Sequence, residues 1–285
     1  MTILARPALC ACVAFALMLA AGEGPRQATA LTPAKELASH RAVYDLNLAQ
    51  RRGNSSAVSA RGRILYDFSG SSCEGYALQF RQVSEIDNGE GRVTLSDLRS
   101  TTWEDGAATK FIFKSQNYLN ETLVDSVDGQ AERGAAKVVV KLTKPGETTF
   151  DLERAMVFPT EHMRRILEAA RDERTILELP IYDGSEKGEK VFNTLTVIGH
   201  AIAPDQRVPT DAAGRNPAFA GLRRWPVTVS YFDQAAKPGD LAPAYSISFE
   251  LYENGVSRAL LLDYNDFAIT GELTAVEVRD TPSCK

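Results

Sequence analysis

Ala60–Phe68 reads ARGRILYDF, Gly75–Val83 reads GYALQFRQV and Gly91–Ser100 reads GRVTLSDLRS. These runs alternate apolar with polar side chains or are rich in β-branched and aromatic types, the pattern of a strand with one buried face. The same reading extends to YDLNLA (44–49), TKFIFKSQ (109–116), AKVVVKL (136–142), WPVTVSYF (225–232), YSISFELYE (245–253) and SRALLLDY (257–264). Between such runs stand turn pairs: Asn88-Gly89, Asp105-Gly106, Asp128-Gly129, Pro145-Gly146, Asp183-Gly184 and Asn254-Gly255. Strands joined by short turns pair antiparallel, and a sheet of more than about ten strands must close, curl or be covered to manage its edges. The chain is therefore expected to be mainly β.

One segment carries a different period. In VFPTEHMRRILEAARDERTI (157–176), Met163, Ile166, Leu167 and Ala170 recur at helical spacing, with Thr160 as the expected N-cap and Glu161 in the first turn. A lone amphipathic helix in a β protein covers or plugs the open side of a curved sheet, because its apolar stripe must be buried. The stretches at 200–222 and 233–245, with their Pro, Asp and Gly, read as loops.

The first thirty residues follow another grammar. Arg6 is followed by an uncharged apolar run from Ala8 to Ala21, and the polar stretch after it closes on Ala28-Thr29-Ala30, a small-x-small cleavage site. The run falls short of the roughly 20 residues a spanning helix needs. Residues 1–30 are read as a cleavable signal peptide, with Ala21 or Gly22 as alternative cleavage points, and 31–285 as a single β domain exported to the periplasm. An uncleaved anchor would use the same run, and a lipoprotein would need a cysteine after it, whereas Cys10 and Cys12 stand at its start. No second apolar stretch is long enough to span a bilayer, so the mature chain is expected to be soluble.

Of the four cysteines, Cys73 and Cys284 remain after such cleavage. An even pair in an exported protein reads as one disulfide, which would tie the C-terminus to an early turn. Metal and redox readings are weaker: His40, His162 and His200 lie far apart in sequence and near neither cysteine, and the mature chain has no C-x-x-C.

Lys plus Arg number 32 against 37 Asp plus Glu, for a formal charge of -5, and no basic stripe points to nucleic acid. No nucleophile elbow, H-E-x-x-H, Walker loop or dinucleotide fingerprint is present. DGSEKGEK (183–190) lacks phosphate-loop spacing and reads as a charged hairpin tip; the Asn120-Glu121-Thr122 triplet is set aside as a chance glycosylation match. His162, near the positive end of the expected helix, is a candidate base without an identifiable nucleophile, and is read first as a capping or packing residue. Asp263 and Asp266 are a candidate carboxylate pair for glycan hydrolysis, although acidic residues at strand ends more often accept turn hydrogen bonds. The aromatics Tyr76, Phe80, Phe111, Phe113, Tyr231, Phe249 and Tyr252 either fill a core or line an apolar groove.

FPTEHMRRIL, LPIYDGSEKGEKVFNTLTVIG, RRWPVTVSYFD, ELYENGVSRALLLDYNDFAITGEL and the pair Cys73 and Cys284, in this order, make the chain resemble the cell envelope integrity EipB family of periplasmic α-proteobacterial proteins. The resemblance covers essentially all of the mature chain. It implies a spiral-like open β-barrel of antiparallel strands with one associated helix and an internal disulfide between Cys73 and Cys284, and it carries over no catalytic residues; no cofactor and no metal are expected. It also implies a non-enzymatic role in resisting envelope stress. A periplasmic or membrane-associated protein partner is expected; the alternative is carriage of lipid or lipoprotein acyl chains in a groove of the sheet.

Overall fold

A computed structural model describes residues 36–53, 58–89, 91, 93–236, 242–281 and 284; the expected signal peptide lies outside the described residues. The first eight strands are β1 (His40–Arg51), β2 (Ser59–Ser71), β3 (Gly75–Asp87), β4 (Val93–Glu104), β5 (Lys110–Leu119), β6 (Thr122–Arg133), β7 (Lys137–Lys144) and β8 (Thr148–Glu153). Helix α1 (Pro159–Arg171) follows, then β9 (Ile176–Ile181), β10 (Phe192–Ile198), a one-turn helix α2 (Ala212–Arg215), β11 (Arg224–Asp233), β12 (Tyr245–Tyr252), β13 (Ser257–Asp263) and β14 (Phe267–Val278). The second helix is an addition to the single one expected, and it stabilises the stretch read as a plain loop: Asp211 caps it by accepting from the Ala213 N–H.

All fourteen strands among the described residues form one sheet, ordered β8-β7-β6-β5-β4-β3-β2-β1-β14-β13-β12-β11-β10-β9, and every neighbouring pair is antiparallel. The first and last strands are thus central, paired from His40 opposite Val278 to Arg51 opposite Phe267, and the strands flanking α1 are the edges. Strand twist accumulates over so wide a sheet and curls it. The curl brings the edges together without closing a ladder: Val157, just past β8, makes one parallel bridge to Ile181 at the end of β9. The Val157 N–H donates to Pro180 O at 2.9 Å and the Tyr182 N–H to Val157 O at 3.0 Å.

Packing seals this seam. Tyr182 is buried against Phe111 and Phe113 of β5, its ring edge-on to both, and Phe158 stacks on Phe111. The charged tip at 183–190 joins β9 to β10 as a hairpin connection, yet its glycines are buried: a Cβ on Gly184 would stand 2.4 Å from the Phe113 ring, and Gly184 has φ +70°. The Asp128-Gly129 pair does not turn the chain. It lies within β6 at a register shift, where Gly129 makes room for Phe113 and Leu142. The turn between β5 and β6 is instead Asn120-Glu121, both at positive φ.

α1 presents its stripe as its spacing requires. Ile166, Leu167, Ala169 and Ala170 are buried among Phe68 and Tyr76 from one arm of the sheet and Trp225, Val227 and Leu251 from the other. Burial of each of Ile166 and Leu167 contributes about 1.5–3 kcal/mol. The helix start differs from expectation: Pro159 is the first helical residue, Phe158 is the N-cap and makes no side-chain cap, and Thr160 lies inside. The capping oxygens come from another element. Glu104, at the end of β4, accepts the Thr160 N–H at 2.7 Å and the Glu161 N–H at 2.8 Å.

Candidate ligand cavity beneath the helix

Strand alternation turns Tyr44 of β1, Ile64 and Tyr66 of β2, and Phe80 and Gln82 of β3 toward the interior from one arm. Val229 and Tyr231 of β11, Ile247 and Phe249 of β12, and Leu260 and Leu262 of β13 face them from the other, and α1 adds His162, Met163 and Ile166 as a roof. The space between is about 260 Å³. A smaller space of about 60 Å³ adjoins it and shares His40, Tyr66, Met163 and Gly255 as walls. A larger concavity of about 430 Å³ lies across β1 to β4, but its charged side chains are spent on one another: Arg63 on Asp45 at 2.8 Å and Arg61 on Glu85 at 2.9 Å.

Two of the three histidines meet at the apolar cavity. His162 is buried, and its Nε2 lies 3.2 Å from Thr194 Oγ1, whose own O–H donates to Leu179 O at 2.8 Å. The hydroxyl therefore accepts, and His162 carries its proton on Nε2. Burial lowers the His162 pKa to about 4. His40 donates from Nδ1 to Ala38 O at 2.7 Å and stacks on Tyr66 with ring centroids 5.4 Å apart. Burial lowers its pKa too, outweighing the Ala38 bond. The phenols stay protonated: burial raises Tyr66 to about 12 and pushes Tyr44 and Tyr231 well up, with the Tyr44 O–H donating to Ser257 O. The wall is apolar with a few neutral polar atoms, and among the described residues no Asp, Glu, Lys or Arg lines it.

The roof is pinned by ions at its N-terminal end. Burial raises the Glu104 carboxyl to about 7 against the lowering effect of its two N–H partners, and Arg164, on α1, donates to Gly106 O. Glu161 pairs with Arg133 of β6 at 2.7 Å and with Arg165 at 3.3 Å.

The other sequence-derived candidates are placed elsewhere. Asp263 is held by Arg52 through two contacts of 2.6 and 2.8 Å, which lower its pKa, while Asp266 is exposed in the turn before β14. His200 is exposed. Among the described residues no three His, Cys, Asp or Glu side chains gather at metal-binding spacing. Cys73, in the β2–β3 turn, and Cys284 stand at disulfide distance, with Cα atoms 5.6 Å apart. Phe80, Tyr231 and Phe249 line the cavity, while Tyr76, Phe111, Phe113 and Tyr252 belong to the packed core, so the aromatics divide between both expected roles. His40 and Glu104 were not singled out from the sequence. His40 continues the inward series Ala42, Tyr44, Leu46 by one step of two, a signal present in the pattern.

A curled, open antiparallel sheet with a helix over an apolar cavity defines a β-barrel-like protein. The chain belongs to the EipB-like family, whose model matches residues 31–280. It is 37% identical over 254 residues, 89% of each chain, to the Cell envelope integrity protein EipB of Brucella abortus (strain 2308). It is also similar to a crystal structure of a β-barrel-like protein of a domain of unknown function (DUF1849) from Brucella abortus, with a TM-score of 0.81 and 36% identity, over 87% of this chain and 100% of that one.

Proposed function

We propose that this protein is a non-enzymatic periplasmic factor that maintains cell envelope integrity through a protein partner. The observation that carries the proposal is the 37% identity, across 89% of both chains, to a relative named for cell envelope integrity. The leader-like first thirty residues support export, after which 31–285 acts as one domain with Cys73 and Cys284 oxidised. The cavity chemistry supports a role without catalysis. His162 is a donor toward Thr194 rather than a base, and the Thr194 proton is directed at Leu179 O, away from the imidazole.

Deletion of the gene is expected to sensitise cells to detergents and wall-active antibiotics, with resistance restored by the full chain and not by a chain lacking residues 1–30. Unchanged resistance in the deletion strain would overturn the envelope role; rescue by the truncated chain would overturn the periplasmic site. A second reading, carriage of a lipid or lipoprotein acyl chain, is favoured by the apolar space of about 260 Å³ beneath α1.

A further inference from the structure

We propose that the outer edge of β8 binds an extended segment of a protein partner, which adds to the sheet as an antiparallel strand with basic side chains on its outward face. The inference rests on the reading that a protein partner acts with this chain, and it names the surface and the chemistry of that partner. β8 has a neighbour, β7, on one side only. Lys137 O accepts from the Gly134 N–H at 2.8 Å, so the backbone of Lys137 faces β6, and Glu153, opposite it in β8, faces away from β7. Backbone direction alternates along a strand and the β7–β8 register runs without a shift, so Asp151 and Thr149 also direct their N–H and C=O to the free edge. The Met156 N–H donates to Glu153 O at 3.1 Å; among the described residues the other backbone groups of this edge have no partner.

The other edge of the sheet is blunted. At the end of β9, Val157 occupies Pro180 O and the Tyr182 N–H, and Pro180 has no N–H to offer a strand. β8 carries no proline, and its side chains divide by face. Phe150 and Leu152 turn inward and are only partly buried on the cluster that holds Phe111 and Val140, so an added strand would cover them. Thr149, Asp151 and Glu153 are exposed on the outward face, where Lys137 of β7 pairs with Asp151, and Glu153 has no ion pair among the described residues. Outward charge therefore runs basic on β7 and acidic on β8, and the strand that complements it is basic outward and apolar inward. A second copy of β8 would bring carboxylates against carboxylates, which disfavours edge-to-edge pairing of two copies of this chain.

The test uses the exported protein and three capped peptides of the length of β8: lysine alternating with valine, glutamate alternating with valine, and the lysine peptide N-methylated at its lysines. Directly opposite residues of an antiparallel pair share a face, so the N–H groups turned toward β8 belong to the lysines. By calorimetry the lysine peptide is expected to bind about tenfold or more tightly than either control, and to slow hydrogen exchange of the Thr149 and Asp151 amides. Asp151→Lys combined with Glu153→Lys should reverse the preference toward the glutamate peptide. Should that variant fail to fold, amide exchange in the wild type decides. Equal binding of the lysine and glutamate peptides, binding that leaves the β8 amides unprotected, or no binding overturns the inference. Protection of these amides that rises with protein concentration in the absence of peptide overturns the basic partner in favour of a second copy. In the deletion strain the charge-reversed chain, at matched level, is expected not to restore resistance. Full restoration overturns the edge as the docking site and leaves the envelope role standing, whereas a deletion strain of normal resistance overturns the reading on which the inference rests.

Discussion

Two buried groups near the start of α1 titrate in opposite senses, and their opposition should be measurable. His162 has its pKa lowered to about 4, so the unfolded chain takes up this proton first as the solution is acidified. Its contribution is present above the unfolded value and is lost as pH falls toward the folded one: about 2 kcal/mol between about pH 7 and about pH 5. Glu104 has its pKa raised to about 7, so the folded state takes up this proton first. Its contribution is present below the unfolded value and is lost as pH rises through about 7; over the same interval acidification returns about 2 kcal/mol. The two cancel in the wild type. Urea unfolding at both pH values should therefore show His162→Phe gaining about 2 kcal/mol on acidification relative to wild type, or roughly 4–8 °C in Tm for a domain of this size. Glu104→Gln should lose a similar amount relative to wild type, and comparing each variant with wild type removes the background of other titrating groups. Profiles parallel to wild type for both variants would refute the argument that burial governs these groups.

Further outcomes follow from other contacts. Replacing Cys73 or Cys284 with Ser opens a loop closed across 211 residues of separation and should lower stability under oxidising conditions by up to about 5 kcal/mol; equal unfolding midpoints of variant and wild type would deny a stabilising bond. Arg258→Met removes the guanidinium that donates to Asp211 at 2.7 Å and to Glu250, and leaves Asp211 buried without its ion pair. A loss of about 3–5 kcal/mol is expected, with faster amide exchange concentrated in 203–222. Gly184→Ala forces a Cβ into the Phe113 ring at a positive φ and should cost about 1–3 kcal/mol or more, read as a lowered Tm; an unchanged Tm would show that the seam is looser than its packing indicates.

The sequence by itself determined the class of fold. Period-two alternation in runs such as ARGRILYDF and TKFIFKSQ reports which side chains share a face, and that depends only on the geometry of an extended chain. The stripe of Met163, Ile166, Leu167 and Ala170 marked α1 for the same local reason, and the stretches that carry the family resemblance fall in α1 and β9–β14, with Cys73 in the β2–β3 turn. Local rules failed where a distant element supplied the partner. Thr160 has the chemistry of a cap, but Glu104, 56 residues away, takes the helix N–H groups; Asp128-Gly129 has the look of a turn, but the crowding of Phe113 and Leu142 turns its glycine to use inside a strand. Which strands became edges, how Val157 and Ile181 meet at the seam, and the convergence of His40 and His162 on one cavity were decided by the tertiary structure alone. Alternation records the face on which a side chain lies and carries nothing about how far the sheet curls, and it is the curl that brings opposite arms of the sheet to the same cavity.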